Sequence, residues 1–257
     1  MRAKQQLGQN FLMHSATARR IAGCANLPKG SHVLEIGPGT GMLTRALLDE
    51  GFIVTAIEAD KELIPGLEEM FADDISGDTL TIMSSDIRTF DLSKLSKGYS
   101  VIANIPYYIT GEILRLLLTA KNKPFSMTLL VQKEVAVRIA RAEKESLLSL
   151  SVKAYGKPSI AFLVPRGAFR PAPKVDSAVL LVSEIAPRFK TKKEEEVFFS
   201  VLHAGFGHKR KRLAKNLEDL FQREKVEHAF ESLSLSPNTR SEDVSLAMWL
   251  SLTKALR

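Results

Sequence analysis

The run Asn104-Ile105-Pro106-Tyr107 has the residue types that point most directly to chemistry. They suit the handling of an amino group attached to a planar ring. Such a nitrogen, as on adenine, is conjugated with its ring and is a poor nucleophile. The side-chain carbonyl of Asn104 and the main-chain carbonyl of Ile105 are two acceptors for its hydrogens. Together they would push it toward tetrahedral geometry with its lone pair outward. Tyr107 offers a stacking face, worth roughly 1–3 kcal/mol per base. Pro106 cannot join a sheet ladder and holds the residue before it extended. Val101 to Ala103 therefore read as a short buried strand that ends at Asn104, and open α/β sheets bind ligands at that end. A strand end with a proline turn and a buried tyrosine has the same residues, so the tetrapeptide alone leaves both readings open.

A second motif, Glu35-x-Gly37-x-Gly39-x-Gly41, sits between a strand, Val33 to Ile36, and a helix, Met42 to Asp49. Glycines there let the backbone approach a ligand closely, and a helix N-terminus favours electron-rich groups. The spacing is not a dinucleotide fingerprint, because Met42 stands where glycine or alanine is needed, and no Gly-Lys-Ser/Thr follows to make a phosphate loop. About twenty residues on, the next strand ends at Glu58, which can accept hydrogen bonds from both hydroxyls of a ribose. The following strand ends at Asp86, placed to reach the adenine of the same ligand. Either acid alone reads as a solvated loop residue. Three successive strand ends carrying the glycines, Glu58 and Asp86 suit a nucleoside without a pyrophosphate.

Strands and helices alternate from residue 33 onward. Strands are expected at Val33 to Ile36, Phe52 to Ile57, Leu80 to Met83, Val101 to Ala103 and Ser126 to Gln132, then at Ser151 to Tyr155, Ser159 to Val164 and Ala178 to Ser183. Helices are expected at His14 to Cys24, Met42 to Asp49, Lys61 to Phe71 (interrupted near Pro65-Gly66), Gly111 to Thr119 and Val135 to Ala142. This pattern predicts a Rossmann-like, mostly parallel α/β sheet with a terminal antiparallel strand. Beyond Pro187 the expected elements are helices only, at Glu194 to Ala204, Lys211 to Gln222 and Val244 to Leu256. The reading is a catalytic domain over 1–186 and a small all-α domain over 187–257.

The 257 residues carry a formal charge of +7, which suits nucleic acid or another anionic surface without proving either. The densest positive run, His208-Lys209-Arg210-Lys211-Arg212, is read at a helix start, where it opposes the macrodipole, so phosphate binding by Lys209, Arg210, Lys211 and Arg212 is a reason to keep it. A solvated charged face is the plain alternative. If about five cations met single-stranded phosphates, log K would fall with log salt by about 0.7 per phosphate. A single cysteine, Cys24, excludes an internal disulfide and a cysteine-rich zinc site, and no metal site is expected. The basic N-terminus lacks the apolar core of a signal peptide, and no run of about 18 apolar residues exists to span a bilayer, so a cytoplasmic protein with no membrane partner is expected.

Together the glycine loop, Glu58, Asp86 and Asn-Ile-Pro-Tyr resemble an S-adenosylmethionine-dependent methyltransferase of the class I fold. The tetrapeptide is similar to the Asn/Asp-Pro-Pro-Tyr/Phe motif of amino-group methyltransferases, with Ile105 in place of the first proline. Gln9-Asn10-Phe11-Leu12, Val131-Gln132-Lys133-Glu134-Val135, the segment Phe169-Arg170-Pro171-Ala172-Pro173-Lys174-Val175-Asp176-Ser177-Ala178-Val179 and the basic cluster resemble segments of the rRNA adenine N6-dimethyltransferase family. Within it the bacterial small-subunit branch, which dimethylates two adjacent adenosines near the 3′ end of 16S rRNA, looks nearest.

The resemblance implies that Asn10, Leu12, Gly37, Glu58, Asp86 and Asn104 contact S-adenosylmethionine or lie beside it, with Gly39 in the same loop. It implies that Phe169 holds the target base opposite Tyr107. It also implies 16S rRNA in an immature small subunit as partner, and a monomeric enzyme. One departure is Glu143 to Ser149, which replaces the family's usual Tyr-Gly-containing approach and leaves the RNA contacts there open. Rival readings are a methyltransferase for a protein amide or small amine, a non-catalytic assembly or RNA-binding factor on the same fold, and a resistance-type large-subunit rRNA methyltransferase.

Overall fold

The structure is a computed structural model that describes residues 9–208 and 210–257. In chain order its elements are β1 (Phe11–Leu12), α1 (Ser15–Gly23), β2 (His32–Ile36), α2 (Met42–Asp49), β3 (Ile53–Glu58), α3 (Ile64–Met70), α4 (Ala72–Ser76), β4 (Leu80–Ser84), β5 (Ser100–Asn104), α5 (Thr110–Thr119), β6 (Met127–Gln132) and α6 (Lys133–Ala140). They continue with α7 (Leu147–Lys153), β7 (Lys157–Val164), β8 (Phe169–Arg170), β9 (Ser177–Ser183), α8 (Lys192–Gly205), α9 (Leu213–Leu217), α10 (Arg223–Ser232) and α11 (Leu246–Ala255).

Seven strands form one sheet in the order β4-β3-β2-β5-β6-β9-β7. The pairs from β4 to β6 are parallel, and β9 runs antiparallel to both β6 and β7. The expected antiparallel strand therefore lies between β6 and β7, and β7 is the edge. The strand sequences explain these places. Residues 100–103 of β5 and 127–131 of β6 are buried, as a strand covered on both faces requires, whereas β7 has alternating exposed positions and carries Pro158, which an edge strand tolerates.

The strand order also dictates where a ligand must go. From β2 the chain winds outward through β3 and β4. It then returns to place β5 against the other side of β2, with Leu34 beside Val101. That reversal opens a crevice beyond the carboxyl ends of β2 and β5. The glycine loop follows β2, and Asn104 to Tyr107 follow β5.

Three local readings are corrected. Pro65 occupies the first turn of α3, where its missing N–H is no loss, so it begins that helix rather than interrupting one. Ser151 to Tyr155 are not a strand: residues 147–153 form α7. Leu150, Val152 and Ala154 are all buried, a period-two pattern that imitates a strand. The start of α7 is instead set by a reciprocal capping box, in which Ser146 Oγ accepts the Ser149 N–H at 3.1 Å and Ser149 Oγ accepts the Ser146 N–H at 2.7 Å. The helix expected over Lys211 to Gln222 shrinks to α9, and α10 falls where no element was expected.

The chain divides into two compact units. One ends at Ala140 and resumes over Gly156–Ala186, and the other joins Arg141–Tyr155 to Pro187–Arg257. Residues 141–155 thus leave the expected 1–186 domain for the helical one. Hydrogen bonds show why. The Glu145 N–H donates to the Glu242 carbonyl at 2.7 Å, Lys144 Nζ lies 2.5 Å from a Glu242 carboxylate oxygen and 3.6 Å from Asp243, and Tyr155 bonds Glu195. The segment of residues 143–149, which departs from the family pattern, is occupied with bonds inside this helical unit.

Replacing Ser146 by Ala removes one arm of the capping box. It is expected to lower unfolding stability by about 1 kcal/mol, read as a fall in the thermal midpoint. An unchanged midpoint would show that the box does not fix the start of α7.

Candidate active site

The crevice is a cleft of about 1010 Å³, open solvent included, and its walls contain Asn10, Leu12, Gly37, Gly39, Glu58, Asp86, Asn104, Ile105, Pro106 and Tyr107. Every expected cofactor and target-base residue except Phe169 is brought to this one cleft. Its geometry grows from short segments that each have a local reason for their shape.

The glycine loop is held by Glu58 at the end of β3. Glu58 Oε2 accepts the Gly39 N–H at 3.1 Å, and Oε1 accepts the Asp60 N–H at 2.8 Å. Burial pushes the Glu58 carboxyl up from the ordinary carboxylate value, the Asp60 and Gly39 N–H groups oppose that rise, and the Asp60 charge adds to it. Gly37 has φ of +69°, and a Cβ placed there would meet no protein atom within 4 Å, so its bareness leaves room for a ligand against the backbone. Gly39 is different. A Cβ there would come within 2.9 Å of the Phe11 ring, which packs directly over the loop.

Phe11 belongs to an N-terminal segment laid across the cleft. β1 pairs antiparallel with β8, placing Phe11 opposite Arg170 and Leu12 opposite Phe169. Gln9 Nε2 donates to Asp60 Oδ2 at 3.1 Å. The Asn104 amide nitrogen donates to the Asn10 main-chain carbonyl at 2.9 Å. A carbonyl only accepts, so this bond fixes which way the Asn104 amide points. Its nitrogen is turned to Asn10 and its oxygen is left as the acceptor on the other side.

Tyr107 opens a single 3-10 turn, Tyr107–Ile109, after Pro106. Its phenol and the Ser177 hydroxyl lie 2.5 Å apart. Burial pushes the phenol up, and the bond to Ser177 opposes the rise. Ser177 was not singled out in the sequence, although it lies in the segment whose resemblance to the family was noted. The same segment supplies Asp176, whose Oδ1 accepts the Arg166 N–H at 2.9 Å.

Asp86 turns back on its own chain. Oδ1 accepts the Arg88 N–H at 2.9 Å, and the Arg88 guanidinium reaches both carboxylate oxygens, with Nη2 at 2.6 Å from Oδ2. Arg88 holds the Asp86 carboxyl below its ordinary value. Each oxygen thus accepts two hydrogen bonds from Arg88. Arg88 also lines the cleft and went unnoticed in the sequence, where only its position two residues after an aspartate hinted at the turn.

Two expected placements change. Phe169 is 4% exposed, packed in the core with Leu12 and Val164, and does not line the cleft. Its main chain pairs through β8 with Leu12 of β1. The basic run leads into α9, with Arg212 at its N-cap, rather than entering a helix at Lys211. Arg210, Lys211 and Arg212 are exposed in the turn before α9, and Lys209 lies outside the described residues. α9 has five residues, too short for the macrodipole to bear on why the charges are there.

In β2, Glu35 is 1% exposed, and among the described residues its Oε2 and the Thr44 hydroxyl are buried with no hydrogen-bond partner. Burial drives the Glu35 carboxyl up to about 8; the adjacent Thr44 hydroxyl opposes this, and the Glu58 carboxylate adds to it.

The family model for ribosomal RNA adenine dimethylase matches residues 1–257. The chain belongs to the ribosomal RNA adenine dimethylase family. Among similar proteins, the ribosomal RNA small subunit methyltransferase A of Lactococcus lactis is 42% identical, covering 98% of this chain and 90% of the relative. That of Fusobacterium nucleatum is 35% identical over 98% and 96%. The crystal structure of 23S rRNA methyltransferase ErmE superposes with a TM-score of 0.77 at 28% identity, covering 96% of this chain and 99% of that one. A dimethyladenosine transferase from Plasmodium falciparum gives 0.79 at 25%, covering 94% and 95%. The dimethylase fold is therefore a class I methyltransferase sheet, the enzyme is an S-adenosylmethionine-dependent methyltransferase, and the cleft at the β2/β5 reversal fits that cofactor through the open space at Gly37.

A buried carboxyl with a raised pKa adds stability at low pH that is lost as pH rises through its folded value, because the unfolded chain ionises freely above about 4.3. Glu35→Gln cannot ionise. Its thermal midpoint relative to the parent protein is expected to climb as pH rises from about 5 to 8, and then to level off. A pH-independent difference would show that Glu35 is charged in the folded protein.

Proposed function

We propose that the protein transfers methyl groups to the N6 amino group of adenosine, dimethylating two adjacent adenosines in the 3′-terminal hairpin loop of small-subunit 16S rRNA during ribosome assembly. The observation that carries this is the orientation of Asn104. With its amide nitrogen committed to the Asn10 carbonyl, Asn104 Oδ1 is a fixed acceptor at the cleft wall. An exocyclic amino group is the ligand that matches it, and the Ile105 carbonyl is the second acceptor. A target lacking an N–H to give would leave these groups unpaired.

Gly37, Gly39, Glu58, Asp86, Asn10 and Leu12 would hold the cofactor. When bound, S-adenosylmethionine supplies an electrophilic methyl on a sulfonium, a group that needs no acid to leave. What remains for the chain is to hold the base and direct its lone pair. Asn104 and the Ile105 carbonyl draw the amino hydrogens to one side. Tyr107, steadied by Ser177, gives the ring a fixed surface. The proton is lost late, after the nitrogen has become cationic, so no dedicated base is required. Positioning and charge placement do the catalytic work. Presenting the adenosine unstacked costs only a few kcal/mol, least in a loop.

The helical unit, with Arg210, Lys211 and Arg212 exposed, is assigned to RNA phosphate binding together with Lys209. The partner is 16S rRNA within an immature small subunit, and the protein acts as a cytoplasmic monomer. The small-subunit assignment is favoured over a large-subunit target by the similarity to the two small-subunit relatives across nearly their whole length.

Asn104→Ala is expected to abolish transfer to unmethylated small subunits, scored by mass spectrometry of the 16S rRNA, while lowering stability by only about 1 kcal/mol for the lost hydrogen bond. Near-normal turnover by the folded variant would remove Asn104 from the reaction.

A further inference from the structure

Tyr108 is 59% exposed and lines the same cleft as Tyr107. A large aromatic ring in water at the mouth of a binding cleft is poorly explained by packing. Its neighbours define a small platform. Tyr107 and Tyr108 are consecutive in a 3-10 turn, where successive side chains diverge by about 120°. Tyr107 is turned inward by its bond to Ser177. The two rings therefore cannot serve the same base.

Arg88 lines the same cleft. Its side chain is 46% exposed and anchored to Asp86 through Nε and Nη2, which leaves its Nη1 edge as a donor. An anchored guanidinium and an exposed aromatic ring lining one cleft are the combination that single-stranded nucleic acid meets in sequence-tolerant grooves.

We infer that Tyr108 stacks the nucleotide adjacent to the target adenosine, with the outer edge of Arg88 facing the phosphate between them. The inference rests on the proposed RNA substrate. It makes Tyr108 a substrate-positioning residue, outside the group that touches the reacting nitrogen. It also gives the cleft a physical means of seating adjacent nucleotides in turn, since the base not being modified has its own surface.

The test compares the parent protein with Tyr108→Ala and Tyr108→Phe. Binding of a fluorescently labelled hairpin carrying two adjacent adenosines, binding of S-adenosylhomocysteine by calorimetry, and steady-state methylation of unmethylated small subunits are measured on all three. Tyr108→Ala is expected to weaken hairpin binding and raise the KM for the subunit about tenfold, as loss of one base–aromatic stack would, with cofactor affinity within about twofold of the parent's. Tyr108→Phe, which keeps the stacking face and loses the hydroxyl, is expected to restore RNA binding. Unchanged hairpin affinity in Tyr108→Ala would overturn the inference. So would an equal loss of cofactor affinity, which would make Tyr108 a wall of the cofactor site. If the parent protein binds the hairpin but transfers no methyl, the proposed function fails, and the hairpin binding data still decide the role of Tyr108.

Discussion

The hydrogen bond from the Asn104 amide to the Asn10 carbonyl is the constraint on which the site depends. It spans 94 residues of sequence and joins the end of β5 to the segment that enters β1. Without it, a freely rotating amide would present nitrogen or oxygen to the cleft with little preference. With it, the acceptor is set before any base arrives, and pre-setting a dipole is worth most where water is excluded. The N-terminal strand is thus part of the active-site wall. β1 is two residues long, and its cross-strand partner β8 is equally short, so its position rests as much on Gln9, Phe11 and Leu12 as on its ladder.

The rest of the cleft is fixed in a similar way, by groups held through hydrogen bonds to the protein. Glu58 spends one lone pair of each oxygen on a backbone N–H, which ties the glycine loop to β3. Asp86 is steadied by Arg88, and Tyr107 by Ser177. A site assembled from groups already held in place needs little rearrangement on binding, and catalysis that relies on positioning gains from that. Glu35 is buried in β2, two residues before Gly37.

The parts of this that were legible in the sequence are those encoded locally. The central strands are mostly apolar runs, and each ends at a polar or glycine-rich segment, so the sheet and the residues at its carboxyl edge could be read together. The corrections come from long-range partners. Leu150, Val152 and Ala154 carry a strand-like alternation, and only the bonds of residues 144, 145 and 155 to distant helices show that 141–155 belongs to the other unit. Phe169 looked like an aromatic presented by a stiff loop, but its pairing partner lies more than 150 residues earlier in β1, which the local sequence does not reveal. Ser177 and Arg88 acquire meaning only once Tyr107 and Asp86 are in place beside them.

The most direct measurement is a crystal structure with S-adenosylhomocysteine and a short RNA bearing an unmodified adenosine in the cleft. The account requires the adenine amino nitrogen to lie about 2.6–3.2 Å from Asn104 Oδ1, with the Asn104 amide nitrogen still bonded to the Asn10 carbonyl. A base held by other groups, or an Asn104 that has released Asn10 and turned its nitrogen to the target, would contradict it.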